Sequence, residues 1–368
     1  MTERSAWAEV DLGAITANAR TLASMSAPAA LCAVVKANGY GHGATAAARA
    51  ALDGGATWLA VALTAEGAEL RDAGIDAPIL LLSEPPADEH ADVVRFDLTP
   101  TVYTAAGIES LAHAARRPLA VHLKIDTGMH RVGAAPDDAA TLAKAVLAHR
   151  SLKLGGVWTH FAVADEPGHP ATAQQEARFD RVLRTLLDAG IEAPLVHCAN
   201  SAGAIDHPSL RRDLVRIGIA LYGLDPSPAL AGDVSLRPAM RLVSRVSHVQ
   251  VVPKGDAVSY GLRRPVERDT VVATVPIGYA DGVARRLFEV GGEVLIGGKR
   301  RPLAGVVTMD QLMVDCGTDP IVRGDEVVLL GEQGSERVGA EEWAAKLGTI
   351  SYEIVCAISA RVPRRYDT

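Results

Sequence analysis

The chain has 368 residues, 48% of them hydrophobic, which supplies a sizeable core and room for two domains, or for one barrel with an addition. A formal charge of −7 with no block of basic residues argues against a nucleic-acid or membrane-surface partner and points to a small-molecule one. Cys32, Cys198, Cys316 and Cys356 lie far apart, with no CxxC pair and no zinc spacing, so reduced, buried thiols and no metal are expected. The opening MTERSAWAEVDLGAIT has no apolar signal core, and no apolar run reaches spanning length; a cytoplasmic location is the default expectation.

In chain order, short apolar runs alternate with helix-like stretches. The runs are Leu31–Val35, Thr57–Leu63, Pro78–Ser83, Phe96–Thr99, Leu119–Ile125, Leu152–His160, Pro194–Cys198 and Leu214–Ile217. Between them lie alanine-rich amphipathic segments such as TAEGAELRDAG, stopped by Gly74, and ATAQQEARFDRVLRTLLDAG, stopped by Gly190. Eight βα units in this length predict a (β/α)8 TIM barrel. A doubly wound open sheet is the alternative, since both read as βαβα. From about Met240 the texture changes to Val and Thr alternating with polar residues, as in RLVSRVSHVQVV, DTVVATVPIGYA, EVLIGG and DEVVLLG. Turn signals recur at Lys254-Gly255-Asp256, Gly291-Gly292 and Gly297-Gly298, and the segment predicts a mostly β domain. The expected division is a barrel over 11–237 and a β domain over 238–368, joined by residues 1–10, with the proline-bearing 225–238 as linker.

Barrel active sites lie at the C-terminal ends of strands. The first run ends in AVVKANGYGHG, which places Lys36 at a strand tip with three glycines close behind. Such an amine needs a partner, a shifted pKa or a covalent role, and the glycines let the backbone turn sharply. Lys124 and Asp126 end the fifth run; Trp158, Thr159 and His160 the sixth; His197, Asn200 and Ser201 the seventh; Arg216 and Gly218 the eighth. Singly, each reads as an ordinary rim or core residue, and Lys124 with Asp126 as a surface ion pair; their convergence on one face is the informative pattern. The turn Arg216-Ile217-Gly218-Ile219 is a phosphate candidate through its N–H groups, with the Ser201 hydroxyl beside it. A lysine across the mouth from a phosphate cradle suggests a phosphorylated aldehyde held as a Schiff base; pyridoxal phosphate is the commonest such cofactor, and a Schiff-base aldolase the alternative.

AVVKANGYGHG, HLKIDTGMHRVG, WTHFAVAD, HCANSAG, RIGIALYG, VSYG, PIGYADG and TMDQLMVD resemble, in the same order, the blocks of the alanine racemase family. The resemblance implies a barrel followed by a β domain, and a homodimer whose sites are completed by the partner's β domain. It implies that Lys36 carries pyridoxal 5'-phosphate as an aldimine and acts as one base, with Tyr260 as the second on the opposite face of Cα. A free phenol has a pKa near ~10, so Tyr260 needs positive charge or strong donors nearby; by resemblance His160 and Arg216 form that chain. Arg216 also resembles the arginine that hydrogen-bonds the cofactor's ring nitrogen. It does not readily give up a proton, which weakens the ring as an electron sink. A core salt bridge to Asp213 is the structural alternative. Arg131 resembles the residue that steadies the substrate carboxylate, and Lys124 a lysine that is carbamylated in many members. Met309 matches a backbone N–H donor to substrate and Tyr279 an entrance residue. Tyr40, Ser201, Gly218, Ile219 and Tyr352 match the phosphate contacts, with Asn200 beside them. Thr308 departs from the cysteine of many relatives. The implied reaction is interconversion of L- and D-alanine, which supplies D-alanine for peptidoglycan. A serine or broad-specificity racemase, a decarboxylase of similar build and a cofactor carrier are the rivals.

Overall fold

The computed structural model describes residues 5–367. The chain forms two compact units, one of Ala14–Arg237 and one that joins residues 5–13 with residues 238–367.

The first unit is a parallel barrel. Ile79–Leu81, Trp58–Val61, Ala30–Val34 and Leu214–Ile217 lie side by side, as do Thr101–Val102, Leu119–Lys124, Leu152–Trp158 and Val196–His197. Every pairing within these two arcs is parallel. The arcs join at both ends. Leu81 N–H donates to Thr99 O at 2.9 Å and Thr99 N–H to Ile79 O at 2.8 Å. At the other seam Asp213 N–H donates to Val196 O and Arg216 N–H to Ala199 O, both at 3.0 Å. Closure leaves no free edge, and it decides between the barrel and the open sheet. The intervening helices Ala44–Asp53, Thr64–Asp72, Ala105–Ala114, Ala139–Ala148 and Pro170–Asp188 bury their apolar stripes. Gly74 and Gly190, at φ 78° and 72°, stop two of them as expected.

Two expectations need correction. The fourth strand is Thr101–Val102, and of the expected Phe96–Thr99 only Thr99 pairs with a neighbouring strand. Phe96 N–H donates to Asp92 O at 2.9 Å, so its backbone belongs to the end of helix His90–Arg95, and Asp97 then turns at φ 49°. The apolar character of Phe96 and Leu98 comes from packing a helix end rather than from a strand. Cys356 is exposed, whereas the other three cysteines are buried.

In the second unit, Ala6–Asp11 lies between Met240–Arg245, antiparallel, and Arg364–Asp367, parallel. Their sheet continues through Glu326–Gln333 and Glu293–Ile296 to Lys299–Pro302. Gly297 and Gly298 take positive φ at the hairpin turn between the last two strands, as a two-residue loop of this hand requires. A second sheet joins His248–Val252, Thr270–Val275 and Leu312–Asp315. Val252, Val258, Val272 and Ala304 form a buried cluster against it. Helices Ala340–Leu347 and Ser351–Cys356 complete the unit. Among the described residues, no helix is long and apolar enough to cross a membrane.

Candidate functional site

The glycines behind Lys36 serve a left-handed turn. Ala37, Asn38, Gly39, Tyr40 and Gly41 all have positive φ, from 51° to 82°. Each non-glycine residue in that region costs roughly 1–2 kcal/mol, so the surroundings must hold it. Glu66 accepts the Ala37 N–H at 2.6 Å, and the Ala62 and Leu63 N–H groups at 2.8 and 3.1 Å. Asn38 Oδ1 accepts from Ala44 N–H at 3.0 Å. Buried His42 places Nδ1 at 3.1 and 2.9 Å from the Gly39 and Tyr40 carbonyls and donates to them. Lys36 is thereby set, half-buried, at the end of strand Ala30–Val34.

The same turn presents Tyr40 to Gly218. A Cβ on Gly218 would fall 2.5 Å from Tyr40 Oη, so only glycine admits this approach. Gly218 N–H donates to Ser201 Oγ at 2.9 Å, and Ile219 follows in a short 3-10 turn. Two hydroxyls and the N–H groups of one turn converge here, a donor set that suits an anion. Asn200 stands at its edge, but its Oδ1 caps the following helix by accepting from Gly203 N–H at 2.9 Å.

Arg216 is buried on the ring of Trp158, its guanidinium carbon 4.5 Å from the centroid. Its Nη2 donates to Thr159 O and Cys198 O, both at 2.9 Å, and faces His160 Nδ1 at 3.2 Å. Its Nη1 faces His197 Nδ1 at 2.9 Å. No carboxylate among the described residues holds it, and Asp213 instead accepts the Val196 N–H at 2.7 Å; the salt-bridge alternative is overturned. Burial pulls the Arg216 guanidinium down to about 10, so it keeps its charge at neutral pH. Burial, and then Arg216, drive His160 and His197 well below the ordinary imidazole range. Both are neutral acceptors toward the arginine.

Lys124 is also buried over the Trp158 ring, its Nζ 4.7 Å from the centroid. Burial, then the charges of Arg131 and Arg216, push its amine down to about 8, with Lys36 adding to them and Asp126 opposing. Asp126 is not simply its surface partner. One Asp126 oxygen accepts the N–H groups of Gly128, Met129 and His130 at 2.9–3.1 Å. That shapes the loop bearing Arg131, which is exposed. Lys36, Lys124, His160, Ser201, Arg216 and Gly218 sit at the C-terminal ends of barrel strands, as expected, and Tyr40, Arg131 and Ile219 lie on the turns and loops that follow them.

The remaining predicted residues belong to the second unit. Ser259, at φ 69°, donates its hydroxyl to Val306 O at 2.7 Å and sets Tyr260 outward, 72% exposed. Tyr279 N–H donates to Thr308 O at 2.9 Å and Ala280 N–H to Met309 O at 3.0 Å. Gly278 permits this, since a Cβ there would stand 2.3 Å from Thr308 O. The Thr308 hydroxyl closes the turn by donating to Gln311 O at 2.8 Å. Tyr279 and Met309 are exposed on one patch, and Tyr352 is half-buried in helix Ser351–Cys356.

Sequence reasoning missed Glu66 and His122, and named His197 only as a strand-end residue. The Gly155-Gly156 pair inside a strand was the available signal for His122, because glycine there marks a close approach.

A closed eight-stranded barrel with a strand-end lysine, an anion cradle and a buried donor-only arginine, followed by a β unit, defines a class of lysine-barrel enzymes. Residues 10–226 match the family described as alanine racemase, N-terminal domain, and residues 239–366 match alanine racemase, C-terminal domain. The chain belongs to the alanine racemase family. It is 46% identical over 367 residues to an alanine racemase of Symbiobacterium thermophilum, covering 99% of this chain and 97% of the relative. It is similar to the crystal structure of alanine racemase from D-cycloserine-producing Streptomyces lavendulae, with TM-score 0.95, 41% identity and coverage of 100% and 98%. The alanine racemase of Bacillus anthracis with bound L-Ala-P aligns with TM-score 0.94 and 38% identity over 100% of this chain and 96% of that one.

Proposed function

We propose that the chain interconverts L- and D-alanine with pyridoxal 5'-phosphate, using Lys36 and Tyr260 as opposed proton carriers. The donor set fits this cofactor. The Gly218 cradle, which a Cβ would fill, is closed by Tyr40 Oη and Ser201 Oγ and would hold the phosphate with Ile219. Arg216 spends Nη1 and Nη2 on protein acceptors, which leaves Nε–H for the ring nitrogen. When bound, the cofactor's aldehyde condenses with amines and its ring withdraws electrons from Cα, making the Cα proton acidic.

The protein's residues do the rest. Lys36 Nζ exchanges the proton on one face of Cα, taking it from the D-isomer. Tyr260 Oη exchanges it on the other, taking it from the L-isomer, and His160 and Arg216 steady its charge. Arg131 and the Met309 N–H orient the carboxylate, and Tyr279 lines the way in. A carbamate on Lys124 would turn a disfavoured buried cation into an anion that holds Arg131. Its depressed amine supports this, because the neutral amine is the form that reacts with carbon dioxide. Tyr260, Met309 and Tyr279 are exposed large side chains on one unit, which favours a homodimer in which a second copy covers them. The product would serve peptidoglycan synthesis in the cytoplasm.

The observation that carries the reading is Arg216. A buried donor-only partner for the ring nitrogen disfavours long-lived charge in the ring, which favours prompt return of the Cα proton over side reactions such as transamination. Incubation of purified protein and cofactor with each L-amino acid, followed by chiral chromatography, tests it. D-Alanine should form fastest, with serine slower, because a small pocket rejects an added hydroxyl only modestly. Carbon dioxide release without inversion would overturn the reading.

A further inference from the structure

The bonds running inward from Arg216 have a fixed direction. A guanidinium offers donors only, so His197 Nδ1, at 2.9 Å from Nη1, must accept. A neutral imidazole carries its proton on the other nitrogen. His197 Nε2–H therefore donates to His122 Nδ1, at 2.9 Å. His122 in turn carries its proton on Nε2, which is buried with no partner among the described residues. Both rings stay neutral: burial and then Arg216 push His122 down to about 4 and His197 well below its ordinary value.

The barrel makes room for this ring. His122 is fully buried in strand Leu119–Lys124. On the neighbouring strand, a Cβ at Gly156 would stand 2.8 Å from Leu195 O and 3.0 Å from the His122 Nδ1 and Cε1, and one at Gly155 3.2 Å from Ala120 Cβ and 3.3 Å from the His122 Cδ2. The strand register shifts between Val121 and His122, and the Trp58 ring packs 5.5 Å away. Consecutive glycines weaken a strand, and an orphan buried N–H is unfavourable. A hydrocarbon side chain would fill the same space without the orphan N–H, so packing alone does not account for a histidine here.

We propose that His122 is a positioning residue for Arg216. By accepting the His197 Nε2 proton it holds His197 in the tautomer that shows a lone pair to the guanidinium, and so keeps Arg216 aimed at the cofactor ring. This rests on the reading of Arg216 given above. Without His122 as acceptor, His197 is free to carry its proton on Nδ1. Donor then faces donor and Arg216 shifts. The ring nitrogen can then take a proton, and alanine is lost to a side reaction. In that reaction alanine and one water give pyruvate, while the amino group and electron pair remain on the cofactor as pyridoxamine phosphate.

The test compares wild type with His122→Phe, which keeps the planar bulk, and His122→Gln, whose amide oxygen can accept. In apoprotein carrying 15N-histidine, assigned by difference with His197→Asn, wild-type His197 should be protonated on Nε2 alone. In His122→Phe that proton should redistribute to Nδ1. Loss of a supporting hydrogen bond should weaken cofactor affinity, and raise pyruvate formed per racemisation, each by about tenfold; His122→Gln should restore both. The proposal is overturned if wild-type His197 carries its proton on Nδ1, or if His122→Phe lowers the melting temperature alone. Should His122→Phe not fold, the wild-type tautomer and His122→Gln decide: a glutamine variant with altered His197 protonation but unchanged partition also overturns it. A protein that neither binds the cofactor nor inverts alanine would sink the function instead, and the apoprotein spectrum would still settle the histidine chain.

Discussion

Tyr260 and Lys124 show how differently two site residues can be read. Tyr260 is exposed and sits on a turn whose preceding residue takes a positive φ; nothing local marks it as a base. If it is the second base, Tyr260→Phe should keep the cofactor's absorbance and lower racemisation by about 10²–10⁴-fold, the usual worth of a positioned acid–base group. Deuterium exchange at Cα should suffer more when L-alanine is the substrate than when D-alanine is. Equal exchange from both isomers, undiminished, would remove Tyr260 from the role. Lys124 is legible in charge but not in depth. Its amine titrates at about 8 in the fold against an ordinary 10.5, so the folded state binds fewer protons than the unfolded chain between those values. Stability in carbon-dioxide-free buffer should therefore rise as pH goes from 8 toward 10.5, by at most about 3 kcal/mol. Below pH 8 both states are protonated and the penalty is constant. Bicarbonate should raise stability near pH 8 and flatten this slope, with a 13C carbamate signal lost in Lys124→Met. A slope unaffected by bicarbonate would count against the carbamate.

At the scale of elements, the strand ends and the turns that follow them build the site. Apart from the fourth, the strand tips were legible in the sequence, because an apolar run bounded by polar residues is visible without a fold. The left-handed run from Ala37 to Gly41 was not visible, because glycines permit such a turn without requiring it. Glu66, 29 residues on, accepts the Ala37 N–H and helps fix it. Gly218→Ala tests the cradle. Its Cβ would stand 2.5 Å from Tyr40 Oη, so Tyr40 must withdraw. Cofactor affinity should fall tenfold or more, roughly the loss of one charge-assisted hydrogen bond, while the circular dichroism of the barrel is unchanged. Full affinity would show that the phosphate sits elsewhere.

At the scale of the whole molecule, a barrel-borne lysine and a phenol on a separate unit make association the deciding question. Lys36→Ala and Tyr260→Phe should each be inactive. If sites are shared between copies, mixing them with subunit exchange should restore up to about a quarter of wild-type activity, since half the random dimers would carry one intact site. Mass spectrometry of the mixture must show hybrid dimers; hybrids without activity would refute shared sites.

The sequence by itself determined the alternation of elements, the barrel count and most residues at the barrel mouth, because burial periodicity and strand-end polarity are local properties. It misplaced the fourth strand, where a helix end and a strand are equally apolar. Only the tertiary structure decided that Arg216 meets histidines rather than Asp213, that His122 fills the gap above two glycines, and that Tyr40 closes on Gly218. Each of these joins residues that local sequence cannot bring together: Tyr40 with Gly218 and His122 with the glycines meet because their strands pair within one arc, and Arg216 meets His197 only across the seam where the two arcs close.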